Sequence, residues 1–411
     1  MRIIIITDSP HIPTGLARVG RELALGLYGH GHDMAYLGLF HHSEIPQANL
    51  GPVKCWFTND NLYGQGVFDR IVNRFQPDAV LTIGDMWNFW HIADHSVCKT
   101  RKFFQWVAYL PVDGEPIGGG IPPDQIHILE DVDWPIAYTR YAERALRQSV
   151  RDEEFLTRLR VIYHGVDPEL YKPISPEEKM AAKERFKVGD KFLFLTVCRN
   201  QSRKNIPELL RAWKIMSESP EARGRVMLWP HMFFNDPSGW KIDSLLDIIK
   251  LRNDSVIYYE QVAHGEHEML LLPESEVTVL YQIADAFVLI SGEGFGLPTL
   301  EAMATGIPCV LLDYAASSEL GADGRAEMIP CRDFAPWTGL HLTQRPMPNP
   351  TDVAKSMMRV YEDKGWRDYI AANGQKFALE NTWERTVSEF NSVFMEMEVP
   401  FLKPKVLEII C

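Results

Sequence analysis

Short apolar, β-branched runs alternate along the whole chain with stretches whose apolar residues recur at helical spacing. The pattern predicts strands at residues 3–7, 34–39, 79–83, 106–110, 135–138 and 161–163. A second series is predicted at 192–197, 226–228, 255–259, 286–290 and 308–312. Nearly continuous apolar strands separated by helices belong to parallel sheets covered on both faces. Two such series predict an α/β protein of two doubly wound, Rossmann-like domains, residues 1–172 and 173–383. Residues 167–177 carry three prolines in nine positions and read as the linker between them. Residues 116–123, with Gly118, Gly119 and Gly120 between prolines, read as either a mobile lid or a plain connection. Near the end of the chain, Trp383, Val387, Phe390 and Phe394 form one apolar stripe of an amphipathic helix.

Composition narrows the class. The chain has 411 residues, 46% of them apolar, enough for ordinary cores and incompatible with a disordered or fibrous protein. Its formal charge of −13 argues against a protein built mainly to grip a phosphate backbone. The six cysteines are scattered singly, which suits reduced thiols in a cytoplasm. No apolar run approaches bilayer length, and the opening residues read as a buried strand with no cleavage signal, so a cytoplasmic protein is expected. Arg140, Arg144, Arg147 and Arg151 fall at the spacing of one helix face, which would meet an anionic surface, a nucleic acid or only solvent.

Candidate chemistry concentrates in residues 290–308. A buried strand ends at Ile290, and Gly292, Gly294 and Gly296 make a tight turn. Pro298 then occupies a first-turn helical position that needs no donor, and Gly306 and Pro308 close the helix. Free amides at such a turn seat phosphate. Glu293 and Glu301, eight positions apart, flank that seat. Two carboxylates there make sense when they bond hydroxyls, as of a ribose and a sugar; otherwise the segment is a strand–helix turn with a dipole-favoured glutamate. Arg199 and Lys204 lie five apart on the loop after the 192–197 strand. They either converge on one diphosphate, one as a fork and one as a point charge, or stay solvated like Arg203 between them.

Asp131-Val132-Asp133 has the D-x-D form used for divalent metals, but it precedes a strand where a metal pair belongs at a strand's carboxyl end. His264-Gly265-Glu266-His267 lacks a third ligand at helical spacing, and His41, His42, His30 and His32 read as surface residues. No metal and no cofactor is expected. Asp85 and Trp87 follow the 79–83 strand, where an aromatic face stacks on a sugar or base unless it is core. A nicotinamide dehydrogenase is excluded, because the first turn has only Gly15 before Gly20.

Glu293-Gly294-Phe295-Gly296-Leu297-Pro298…Glu301-Ala302 resembles the E-x7-E signature of retaining GT-B glycosyltransferases, specifically glycosyltransferase family 4. Residues 197–205 resemble the family's arginine-to-lysine segment, with Cys198 in the usual glycine position. Residues 161–167 resemble its N-G-V-D segment with His164 for the asparagine, and residues 281–288 resemble the helix–strand before the signature. Thr14-Gly15 and Trp383-Glu384 are looser matches. The resemblance implies two domains facing across a cleft, the first on the acceptor side and the second binding the nucleotide-sugar. It also implies that the C-terminal helix, about residues 384–411, crosses back onto the first domain. It implies retaining, metal-independent transfer from a nucleotide-diphosphate sugar, with the leaving phosphate assisting a front-face displacement. Glu293, Arg199, Lys204 and Asp113 would be catalytic, although Val112 stands where the family presents a histidine. Gly15, Arg199, Lys204, Glu293, Gly294, Phe295, Gly296, Leu297 and Glu301 would bind the donor, and Thr14, Asp85, Trp87 and Asp113 the acceptor. The acceptor is left open among a saccharide, a lipid-linked saccharide, a protein and a hydroxymethylated DNA base. A sugar-nucleotide epimerase on a similar fold is the remaining alternative.

Overall fold

The computed structural model describes residues 1–40, 49–58, 63–234, 236–251, 255–256, 274–336 and 342–397. The chain divides into two compact units, Met1–His164 joined by the chain from Trp383 onward, and Gly165–Thr382. Both are parallel-sheet α/β structures. Among the described residues no helix is long and apolar enough to cross a membrane.

The first unit is built on β1 (Arg2–Asp8), β2 (Asp33–Leu39), β3 (Lys54–Phe57), β4 (Ala79–Ile83), β5 (Gln105–Leu110), β6 (Trp134–Ala137) and β7 (Arg160–Val161). They pair in the order β3-β2-β1-β4-β5-β6-β7, all parallel. The four isoleucines of β1 are completely buried, as a strand covered on both faces requires. The strand order reverses between β1 and β4, so the carboxyl ends of those two strands border the crevice where ligands of such sheets bind. The helix Gly15–Gly29 follows β1, capped by the Thr14 hydroxyl, which accepts from the Ala17 amide. The C-terminal helix Trp383–Glu396 belongs to this same unit. Its buried face, Trp383, Thr386, Val387, Phe390, Val393 and Phe394, has the predicted helical period. Phe390 packs edge-on to Tyr109 at 4.9 Å, Thr386 donates to the Tyr163 carbonyl at 2.9 Å, and Asn391 bonds His32 at 2.9 Å.

The second unit contains β8 (Phe192–Val197), β9 (Val226–His231), β10 (Ala286–Leu289), β11 (Cys309–Leu312) and β12 (Glu327–Ile329), ordered β12-β11-β10-β8-β9 and parallel. A separate antiparallel pair joins β13 (Phe334–Pro336) and β14 (Gln344–Pro346). The order reverses between β8 and β10, whose ends carry residues 198–205 and 290–296.

Several expectations are corrected. β3, β12 and the β13–β14 pair were not predicted, being three- or four-residue edge strands too short for a period-2 signal. Of the strand expected at 255–259 only the first two residues are described, and Val256 bridges Leu228 in parallel. The division falls at His164, not at 172, so the expected linker lies in the second unit. There Tyr171 packs against Tyr281 at 5.7 Å, and Pro176 opens the helix Pro176–Arg185 behind a Ser175–Glu178 capping box. Residues 118–121 are tied down, Gly118 by Gln148 at 2.9 Å and Ile121 by Ser149 at 2.7 Å. The expected four-arginine face also changes, because the helix Arg140–Ser149 ends before Arg151. Arg144 is spent on Glu115 at 2.8 Å and Arg147 on Glu143 at 2.9 Å.

Candidate active site

In the second unit β8 delivers a loop carrying Arg199, Arg203 and Lys204, and β10 delivers Ser291 to Gly296. Asn205 joins the two. It adopts the left-handed conformation (φ 55°) that asparagine tolerates, starts the helix Ile206–Ser217, and donates to the carbonyls of Ile290 at 2.9 Å and Pro346 at 3.1 Å. The loops thus hold Lys204 against Glu293, whose Oε1 accepts from the lysine ammonium and from the Ser291 hydroxyl at 2.6 Å. Arg203 donates to the Gly292 carbonyl at 3.2 Å.

Burial by itself would raise the Glu293 pKa, but Lys204, then Arg203, then hydrogen bonds from Lys204 and Ser291 outweigh it, and the carboxyl lies below its ordinary range. Burial and the neighbouring Arg203 lower the Lys204 pKa against the pull of Glu293. Cys198 borders the pair, and burial pushes its thiol up to about 11. Arg199 is three-fifths exposed in its side chain and pairs through Nε with Asp236 at 2.7 Å.

Gly296 takes φ 97°, the conformation that selects glycine, and the helix Leu297–Ala304 begins directly after it with Pro298 in its first turn. Leu297 and Phe295 are buried, and Glu301 is buried with Oε2 accepting from the Tyr281 hydroxyl at 2.8 Å. Ala315, at φ 51° and ψ −137°, is strained for a residue with a side chain, and the amide of the next residue, Ala316, reaches the Glu293 carbonyl at 3.4 Å.

The first-unit candidates gather at the carboxyl edge of their own sheet. Thr14 donates to Asp8 Oδ2 at 2.5 Å, and Gly15 is the exposed first residue of its helix. Asp85 and half-buried Trp87 follow β4, while Asp113 follows β5. Tyr138, at the end of β6, has its pKa raised well above the usual value by burial and then by Asp85 and Asp8.

Asp131 and Asp133 are occupied by Arg101, at 2.5 and 2.9 Å, and Asp133 also accepts from the Trp106 amide at 2.6 Å. The D-x-D is thus a structural clamp between chain segments. Residues 264–267 and His41-His42 lie outside the described residues. Sequence reasoning assigned no role to Asp236, Ser291, Asn205, Tyr281 and Asp8, and took Arg203 only as a sign that its neighbours could be solvated. Only Asn205, at a helix start, and Arg203, beside two other cations, carried a local signal.

Residues 263–377 match the family model described as Glycosyl transferases group 1. O-antigen chain mannosyltransferase B of Escherichia coli is 26% identical over 223 residues, 53% of this chain and 50% of that protein, so the match spans about half of that relative's length. An uncharacterized glycosyltransferase of Methanocaldococcus jannaschii is 25% identical over 423 residues, covering 97% of this chain and 99% of its own. Anabaena HepE, solved with UDP and glucose, superposes with a TM-score of 0.71 at 15% identity, over 97% of this chain and 100% of that one. The fold, two parallel-sheet α/β units, is that of the solved GT-B glycosyltransferases on which the chain superposes. The segment that matches the group 1 model, residues 263–377, lies in the second unit.

Proposed function

We propose that the protein transfers a sugar from a nucleoside-diphosphate sugar to an acceptor hydroxyl with retained anomeric configuration and without a metal. The bond between the anomeric carbon and the diphosphate oxygen breaks, the acceptor oxygen bonds that carbon on the same face, and the acceptor's proton passes to the departing phosphate. The charge that develops on the diphosphate needs fixed cations. The observation that carries this reading is Lys204 paired to Glu293 and Arg203 bonded to the Gly292 carbonyl, at the turn that leads to Gly294–Gly296, with Arg199 on the same loop after β8. Glu293 then stabilises the positive charge that grows on the sugar, and Glu301 binds nucleotide hydroxyls. Thr14, Asp85, Trp87 and Asp113 are assigned to the acceptor, with the first unit on the acceptor side and the second on the donor side. The UDP bound to HepE supports a nucleotide donor. The group 1 match favours transfer over epimerisation. Free thiols at Cys55, Cys98, Cys198, Cys309 and Cys331 support a reducing, cytoplasmic setting.

The test begins with UDP-, GDP-, ADP- and dTDP-sugars, because the cognate donor raises the melting temperature by mass action. Transfer of that donor's sugar to a panel of hydroxyl acceptors is then followed by NMR in EDTA. An axial donor should give an axial product at undiminished rate. Inversion, or activity lost to EDTA and restored by Mn²⁺, overturns the proposal. Arg199→Ala is the preferred clamp variant, since removing Lys204 would leave Glu293 buried and unpaired at a cost of about 3–5 kcal/mol.

A further inference from the structure

We propose that Asp236 is a positioning residue for Arg199, holding the Nε–Nη2 edge of its guanidinium and leaving Nη1 and the outer Nη2 hydrogen to donate to the donor's diphosphate. The inference rests on the assignment of Arg199 to that diphosphate.

Arg199 stands on a loop with 60% of its side chain exposed, where an arginine on a three-carbon stem samples many rotamers. Asp236, after β9, has a side chain only 5% exposed and is itself immobilised. Its Oδ1 accepts from the Ser238 amide at 2.9 Å and the Ser238 hydroxyl at 2.6 Å. Its Oδ2 accepts from Arg199 Nε at 2.7 Å, whereas Nη2 lies 3.5 Å from Oδ1, at the limit of a bond. Among the described residues Nη1 has no protein partner. The contact therefore takes the Nε–Nη2 edge of the guanidinium and leaves Nη1 and the second Nη2 hydrogen outside it.

The turn that holds Asp236 is stitched to the loop that holds Arg199. Asn200 Oδ1 accepts from the Trp240 amide at 2.9 Å, and Asn200 Nδ2 donates to the Trp240 carbonyl at 2.7 Å and the Phe234 carbonyl at 3.3 Å. The Ser202 amide reaches the Ser238 carbonyl at 3.3 Å. Carboxylate and guanidinium thus share one rigid frame. The arrangement has the logic of an outer residue that orients a functional group by its unused edge.

The test is a double-mutant cycle on the full chain with the cognate donor. Asp236→Asn keeps the shape and the bonds from Ser238 but cannot accept from Nε while presenting its amide group there. With Arg199 in place it should lower kcat/KM for the donor about tenfold or more, leaving the KM of the acceptor unchanged. In the Arg199→Ala background the same change should cost less than about twofold. If Asp236→Asn melts early, Ser238→Ala makes the same test, because it loosens the carboxylate without removing its charge. Equal losses in both backgrounds would show that Asp236 merely holds its loop, and overturn the inference. So would tighter diphosphate binding in Asp236→Asn, which would make Asp236 a competitor for Arg199. A silent Arg199→Ala removes the clamp reading itself, whereas an Arg199-dependent enzyme indifferent to Asp236 overturns this inference alone.

Discussion

At Glu293 burial favours the neutral acid, while Lys204, Arg203 and Ser291 favour the carboxylate and win. Glu301, eight residues on, is held differently: it is buried in its helix with the Tyr281 hydroxyl on one oxygen. The two should separate kinetically. On the proposed function, Glu301→Gln removes bonding that is alike in substrate and transition state, so it should chiefly raise the donor KM and weaken nucleoside diphosphate binding. Glu293→Gln, on the proposed function, removes the charge assigned to stabilising a cationic sugar, and kcat should fall about 10²–10³-fold. Because the same change releases Lys204 from its partner, nucleoside diphosphate should bind this variant as well as or better than the parent. Calorimetric titration of both variants decides the matter, and equal weakening in the two would mean the donor is placed wrongly.

Among the elements, the C-terminal helix carries the most consequence for its size. Val387 sits so close to Gly26 that a methyl group there would approach to 2.4 Å, so the helices touch backbone to side chain. Phe390, Phe394 and Val393 are at most 4% exposed on the same face. Each such side chain contributes about 1.5–3 kcal/mol, and together they rival the roughly 5–15 kcal/mol by which a domain is stable. Ending the chain at Thr382 should therefore unfold the first unit, although every strand of its sheet is retained. Hydrogen exchange at Ile3, Ile4, Ile5 and Ile6 reads this out. Full protection of those amides in the shortened chain would contradict it.

For the whole molecule, acid is the discriminating condition. Burial pushes His91 down to about 4, His164 to about 3 and His231 to about 4, and His32 is lowered as well. These groups stay neutral in the folded state, while the unfolded chain takes up protons below about pH 6.5. Stability from this source is complete above pH 6.5 and declines as pH falls toward 4. At pH 5 each of the three costs about 2 kcal/mol. His91 and His164 belong to the first unit and His231 to the second. The first unit should therefore melt earlier as pH drops from 7 to 5, which calorimetry with unit-resolved hydrogen exchange will detect. An unchanged melting profile, or earlier loss of the second unit, would count against it.

The sequence alone determined the two parallel sheets, because buried β-branched runs and helical stripes are local periodicities written directly in residue order. It also determined the turn after Ile290, since Gly296 and Pro298 have backbone preferences that act without neighbours. Tertiary structure decided what those loops do to one another. Lys204 and Glu293 are 89 positions apart, and Arg199 and Asp236 are 37 apart. Neither pairing follows from spacing, because which loops meet depends on strand order, and β8 lies between β9 and β10 only in the folded sheet. The same cause spent Asp131 and Asp133 on Arg101, moved the division of the chain to His164, and bound the last helix to the first unit. Local periodicity selects elements; long-range hydrogen bonds and burial select their partners.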